Sequence, residues 1–244
     1  MKKLLLPCVA AAFAAAISHA APAGDLTAAA KKLSDAANYG WTATTEIANS
    51  QFPAMPADGK TEKTGFTVIT RSFNGNSMQT VIKGGQAVLQ NPQGEWMTME
   101  EMRQQFANRG GGGGGGGRGG FGIGLPVSPA EEVADLASKI KDAKVVDGVI
   151  TATLSAEDAA PLLTFGGRGG GGGGNPPPAP ANASGSVKFW VKDGALVKYV
   201  VNVKGTVSFG GAERDIDRTT TTEIKDVGTT KVEVPAEAKK KLGA

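Results

Sequence analysis

Cysteine and histidine each occur once in this chain, as Cys8 and His19, and both fall within its first twenty positions. Those positions read as an export signal. Lys2 and Lys3 precede an apolar run from Leu4 to Ile17, and Ser18-His19-Ala20 places small residues where a signal peptidase reads them. The run is shorter than the ~20 apolar residues of a membrane-spanning helix. A signal peptide over residues 1–20, cleaved near Ala20, is therefore expected, and with it a periplasmic or secreted protein. The mature product would carry neither thiol nor imidazole. That excludes a Ser-His-Asp triad, thiol nucleophiles, disulfides and the usual zinc ligand sets. Cys8 sits near the start of the apolar run rather than at the cleavage point, so it does not read as a lipid-attachment site.

Excess charge is missing too. The chain has 26 basic and 23 acidic residues, and without Lys2 and Lys3 the basic count is 24. Nothing in that balance favours nucleic acid or an anionic membrane surface as a partner. No later segment is long and apolar enough to span a membrane, so no transmembrane segment is expected in the mature protein.

Glycine, by contrast, is abundant. Twenty of the 36 glycines lie in two tracts, residues 110–124 and 166–174, the second running into Asn175 and three prolines. Polyglycine has no side chains whose burial could offset the entropy of ordering it. Loop insertions at 110–124 and 166–180 are expected within one α+β domain spanning 21–244. Neither tract has the Lys-Ser/Thr of a phosphate-binding loop. Arg118 and Arg168 are too isolated to make a nucleic-acid segment.

Outside the tracts the chain alternates between two periodicities. Asp25 to Ala37 repeats apolar residues at helical spacing, with Leu26, Ala29, Ala30, Leu33 and Ala37 on one face. Further helices are expected near 99–107, 129–141 and 156–164, opened by Thr98, by Ser128 with Glu131 in a capping box, and by Ser155. The rest reads as strands joined by short turns at Asn74-Gly75, Gly84-Gly85, Pro92 to Gly94, Asp147-Gly148, Asp193-Gly194 and Gly210-Gly211. Residues 49–61 read as a polar loop, and Lys231 to Val234 as a short closing strand. Local connections of this kind build an antiparallel sheet, about nine to eleven strands here, more than the usual handful. The expected fold class is α+β, a curved antiparallel sheet forming a half-open barrel with helices packed on one face.

Catalytic candidates are few. Glu100-Glu101, Glu131-Glu132 and Glu157-Asp158 sit in the first turns of expected helices, where carboxylates meet the helix dipole favourably. Asp215 and Asp217 share one face of a strand flanked by Arg214 and Arg218, which reads as an ion-laced edge strand rather than a calcium site. The chain is therefore read as a non-enzyme with no cofactor and no metal site. The aromatics are more informative. Trp41, Phe66, Trp96, Phe189 and Tyr199 fall on expected strands, and Phe106 and Phe165 on short helices. They either fill an ordinary core or line an apolar cavity under the helices.

Three segments carry a resemblance. Phe189 to Tyr199 (FWVKDGALVKY), Thr153 to Asp158 (TLSAED) and Lys231 to Ala238 (KVEVPAEA) look like the strand-turn-strand, strand-to-capped-helix and closing segments of the lipoprotein-carrier superfamily. The resemblance runs over residues 25 to 240, with the glycine tracts as departures. It implies a half-open, strongly curved sheet lidded by helices, with an apolar space between them that accepts acyl chains, and it brings no catalytic residues. The leading expectation is an exported, non-enzymatic carrier or binding protein for a lipid or other apolar ligand. The alternatives are an exported structural or surface-interaction protein that uses its glycine loops and, more distantly, a carboxylate-dependent hydrolase.

Overall fold

The structure, a computed structural model, describes residues 22–50, 55–73, 76–91, 93–108, 127–164, 178–209 and 212–243. The expected signal peptide, nearly all of both glycine insertions, and Phe165 lie outside the described residues.

Sixteen elements follow in order. They are α1 (Pro22–Asp35), β1 (Asn38–Ile47), β2 (Met55–Glu62), β3 (Thr67–Phe73), β4 (Asn76–Lys83), β5 (Gln86–Gln90), β6 (Trp96–Thr98), α2 (Met99–Asn108), α3 (Pro129–Lys139), β7 (Lys144–Val146), β8 (Val149–Leu154), α4 (Ala156–Leu163), β9 (Ala181–Lys192), β10 (Ala195–Phe209), β11 (Ala212–Lys225) and α5 (Ala236–Lys241). The strands form one sheet of eleven, ordered β6-β5-β4-β3-β2-β1-β11-β10-β9-β8-β7. Two meanders are thus joined where the first strand meets the last, with Gly40 to Ile47 pairing antiparallel to Lys225 to Arg218. The sheet does not close, and β6 and β7 are its edges. The fold is α+β, as its turn chemistry implied.

Side chains alternate between two faces of this sheet. Tyr39 and Trp41 of β1, Ala57 of β2, Ile69 of β3, Phe189 of β9 and Tyr199, Val201 and Val203 of β10 are buried on the inner face. α1 contributes Leu26, Ala29, Ala30 and Leu33 to the same core, α3 adds Val133, Leu136 and Ala137, and α4 adds Ala159 and Leu163. α1 packs on β9 and β10, α3 on α1, and α4 on β8 to β10, so these three helices stand over one half of the sheet. Gly205 lets α4 sit close, since a Cβ there would lie 2.5 Å from Leu163 Cδ1. The capping box opening α3 is present: the Glu131 amide donates to Ser128 Oγ, and the Ser128 amide and hydroxyl donate to the Glu131 carboxylate.

Three expectations need correcting. Residues 55–62, read as part of a polar loop, form β2, an internal strand. After Met55, the inner-face positions are Ala57, Gly59 and Thr61, too small to show as apolar periodicity. Pro56 is tolerated because pairing with β3 begins at Ala57, beyond it. Residues 231–235, expected to hold a closing strand, have no strand conformation and lead into α5. β11, read as an ion-laced edge, is central. Its Asp217 does pair with Lys204 at 2.9 Å, and Asp215 accepts a bond from Thr206, both from the neighbouring strand β10.

The C-terminal segment crosses to the outer face of the first meander. There Val232, Val234, Ala238 and Leu242 pack against Phe66, Val68, Val81, Val88 and Trp96 in a second, smaller core. Lys241 of α5 meets Glu101 of α2 at 2.5 Å. Both sides of β3 to β5 are therefore covered in part, by different segments.

Candidate ligand site on the inner face of the sheet

The register places one continuous row of residues across the inner face. Met78, Arg71, Ala57, Ala43, Thr222, Tyr199, Phe189 and Ile150 are cross-strand neighbours from β4 to β8. At the helix-covered end the row is large and aromatic, with the Phe189 and Tyr199 rings stacked at 6.2 Å. In the middle it is small, through Ala57 and Ala43. Gly59 lies beside them and is covered by Trp41, whose indole occupies the space a Cβ at 59 would need, 1.9 Å from Cε2. Trp41 thus lies flat on the sheet, and its Nε1 donates to Thr61 at 3.2 Å. Between the helices and β3 the row is thus a trough in side-chain size, built of alanine, glycine and threonine, in which Ala43 is half-buried and Ala57 and Thr222 are buried.

Apolar residues emerge from the core along this trough. Ala43, Ile82, Val207, Ile216 and Leu162 are half-buried and pack against its margin, and Met78 at the far end is 43% exposed.

Polar groups gather where α3 crosses the inner face. The Tyr199 hydroxyl donates to Glu132 at 2.5 Å. The carboxyl end of Glu132 is buried although its stem keeps some exposure, and burial pushes its pKa up while the bond from Tyr199 opposes the shift. Burial, then the neighbouring Glu132 charge, raises Tyr199 well above its usual value. The Arg218 guanidinium, on the same inner face of β11, donates to the Leu162 carbonyl of α4. Burial lowers the Arg218 pKa, and Glu132 partly offsets that. The Tyr39 hydroxyl is buried without a hydrogen-bond partner of good geometry among the described residues, as is Asn38 Oδ1. Burial raises Tyr39, while Ser128 and Thr61 lie near enough to pull it back.

The aromatic candidates divide between the faces. Trp41, Phe189 and Tyr199 come together on the inner face. Phe66 and Trp96 lie on the outer face under the C-terminal segment, and Lys83 sits over the Phe66 ring at 4.4 Å. Phe106 belongs to α2, beside β5 and β6. Sequence reasoning missed Arg71 and read Glu132 only as a first-turn acid facing the helix dipole, because a charged residue on a strand or helix normally marks the solvent side. The usable signal was parity, since Arg71 follows Thr67 and Ile69 at even spacing.

An opening lies on the outer face. A cleft of about 790 Å³ runs beneath the C-terminal segment, between Asp58, Lys60 and Thr70 on one side and Thr230, Lys231 and Glu233 on the other. Its charges largely pair among themselves, Lys225 with Asp58 at 3.1 Å and Lys231 with Glu233 at 2.9 Å. Its walls are mixed, with Val68, Val234 and Pro235 beside the charged residues. Among the described residues no cluster of acids, histidines or cysteines could hold a metal ion, and no helix is long and apolar enough to cross a membrane.

No family model matches the chain, and no curated protein matches it. Solved structures do resemble it in arrangement. The lipoprotein LppX of Mycobacterium tuberculosis is 11% identical with a TM-score of 0.46, covering 88% of this chain and 98% of its own. LprF from Mycobacterium bovis is 12% identical with a TM-score of 0.44, covering 89% and 97%. A LolA-superfamily protein from Nitrosomonas europaea is 8% identical with a TM-score of 0.35, covering 88% and 96%. The likeness spans the chain but is loose and lies in the arrangement alone, and what this chain binds has to be argued from its own geometry.

Proposed function

We propose that this protein is an exported, non-enzymatic carrier that holds a lipid or another apolar ligand against the inner face of its sheet. The observation that carries the proposal is the uneven cover of one apolar face. α1 and α4 pack on β8 to β10, and α3 reaches Tyr199 and Tyr39, while the same face continues through the buried Ala57 and the half-buried Ala43 and Ile82 toward the exposed Met78. Apolar surface that folding leaves half-covered gains free energy, about 25 cal/mol per Å², when a ligand covers it. Ala43 and Ala57 add little bulk beneath that ligand, and Trp41 and Tyr199 offer it flat aromatic surfaces. The residues proposed to line the site are Trp41, Phe189 and Tyr199 from the aromatic set, with Ala43 and Ala57 as floor. Phe66 and Trp96 belong to the second core. The contact of Arg218 with α4 and of Glu132 with Tyr199 tie the covering helices to the sheet, which suits a ligand chamber.

The test is chemical. The protein, purified from its native compartment without detergent, is extracted with organic solvent and the extract analysed by mass spectrometry. The expected result is an acyl-containing compound in near-stoichiometric amount. An extract that matches a control protein, together with no binding of added apolar probes, would overturn the proposal.

A further inference from the structure

Arg71 has no ion-pair partner among the described residues. It lies on the inner face of β3, two residues beyond the fully buried Ile69 and directly between Ala57 and Met78 of the neighbouring strands. The side chain is half-buried. Among the described residues it makes no ion pair and no hydrogen bond. The segments outside the description contain no aspartate or glutamate, so no acidic side chain of this chain is held back from view. Its pKa is lowered by burial, with no acidic neighbour opposing the shift. Arg218, on the same face, has the Glu132 carboxylate in its field. Arg71 has no counterpart to that.

A guanidinium removed from water without a partner costs free energy, and that cost is recovered when a carboxylate or phosphate arrives. The planar fork fits either group through two parallel bonds. Arg71 also stands at one end of the trough. From it the row of Ala57, Ala43 and Thr222 leads to Tyr199, four strand spacings or about 19 Å away, the length scale of a long acyl chain.

We propose that Arg71 anchors the head group of the ligand, so that the trough selects acyl chains ending in an anionic carboxylate or phosphate. This rests on the apolar-ligand proposal above and sharpens it. The chain lies over Ala57 and Ala43 toward Tyr199, and the head sits at the Met78 end, where the trough opens to solvent.

The experiment compares oleate, methyl oleate and inorganic phosphate on delipidated protein, by calorimetry or by displacement of a fluorescent probe. Wild-type protein is expected to bind oleate about tenfold or more tighter than methyl oleate, the size of a charge-assisted hydrogen bond. Arg71→Gln should bring oleate down to the ester's affinity and leave the ester unchanged, and Arg71→Lys should keep part of the preference. Phosphate without a chain should not compete at millimolar concentration. Equal binding of acid and ester by the wild type would overturn the inference, and needs no variant to observe. So would an equal loss of both ligands in Arg71→Gln, which would make Arg71 part of the scaffold. Phosphate competing as well as oleate would make it a small-anion site and also overturn the inference. If neither oleate nor methyl oleate binds, the apolar-ligand proposal itself falls and takes this one with it.

Discussion

Glu132 shows how one side chain links helix cover to pH. Its carboxyl is held by Tyr199 of β10 and feels Asp135 on its own helix and Arg218 on β11. Burial raises its pKa above the ordinary carboxylate value. The sign follows from linkage. Below the ordinary value Glu132 is protonated in both folded and unfolded chains and contributes no pH dependence. As pH rises from the ordinary value to the raised one, the unfolded chain releases its proton first, so stability falls, by about 1.4 kcal/mol for each unit of separation. Above the raised value the loss is complete. Glu132→Gln keeps an oxygen for the Tyr199 hydroxyl but removes the titration. Its stability relative to wild type should therefore increase as pH rises through that window and then level off, in urea unfolding measured between pH 4 and 8. A difference that is flat across this range, or that shrinks with rising pH, would contradict the account.

At the scale of elements, the C-terminal segment and α5 belong to the second core, on the face opposite the trough. A chain ending at Thr230 would lose Val232, Val234, Ala238 and Leu242 and uncover Phe66, Val68 and Trp96. Burying one such side chain is worth about 1.5–3 kcal/mol, whereas the exposed Lys241–Glu101 pair adds little. The truncated chain should unfold at clearly lower denaturant and show a red-shifted Trp96 emission, yet keep its ligand affinity. Loss of affinity with no loss of stability would instead place the segment in the site. The sequence announced most hairpins, because Asn-Gly, Asp-Gly and Gly-Gly pairs specify the turn and hence the pairing of the strands beside it. It hid β2, whose inner face after Met55 is Ala57, Gly59 and Thr61, and it hid α5, which is six residues long. The faces of the aromatics were also hidden. Val68 and Ile69 are both apolar, so β3 shows no preferred side until register puts Ile69 under Trp41's face and Val68 under the C-terminal segment. Trp96 joins the outer face through its pairing with Gln90, a long-range consequence that local pattern does not contain. Arg71 was invisible as a site residue for the same reason.

For the whole molecule, an eleven-stranded sheet that stays open has more apolar inner surface than three short helices cover. Closure into a barrel would have filled the interior with side chains. Here the first and last strands pair in the middle and the two edges do not pair, with α1, α3 and α4 packed over one half of the inner face. The chain has no cysteine beyond Cys8 to staple this arrangement, so its packed cores must supply the stability. Ala43 stands at the boundary, half-buried on the trough floor in the row between Ala57 and Thr222. The most direct test is a titration of wild type and Ala43→Trp with a fluorescent polyene fatty-acid ester, with unfolding midpoints measured alongside. The account expects saturable, stoichiometric binding by wild type and an affinity lower by about tenfold or more in Ala43→Trp, because the indole occupies the ligand's volume, with the unfolding midpoint retained. Absence of saturable binding in wild type, or equal affinity in a folded Ala43→Trp, would contradict it.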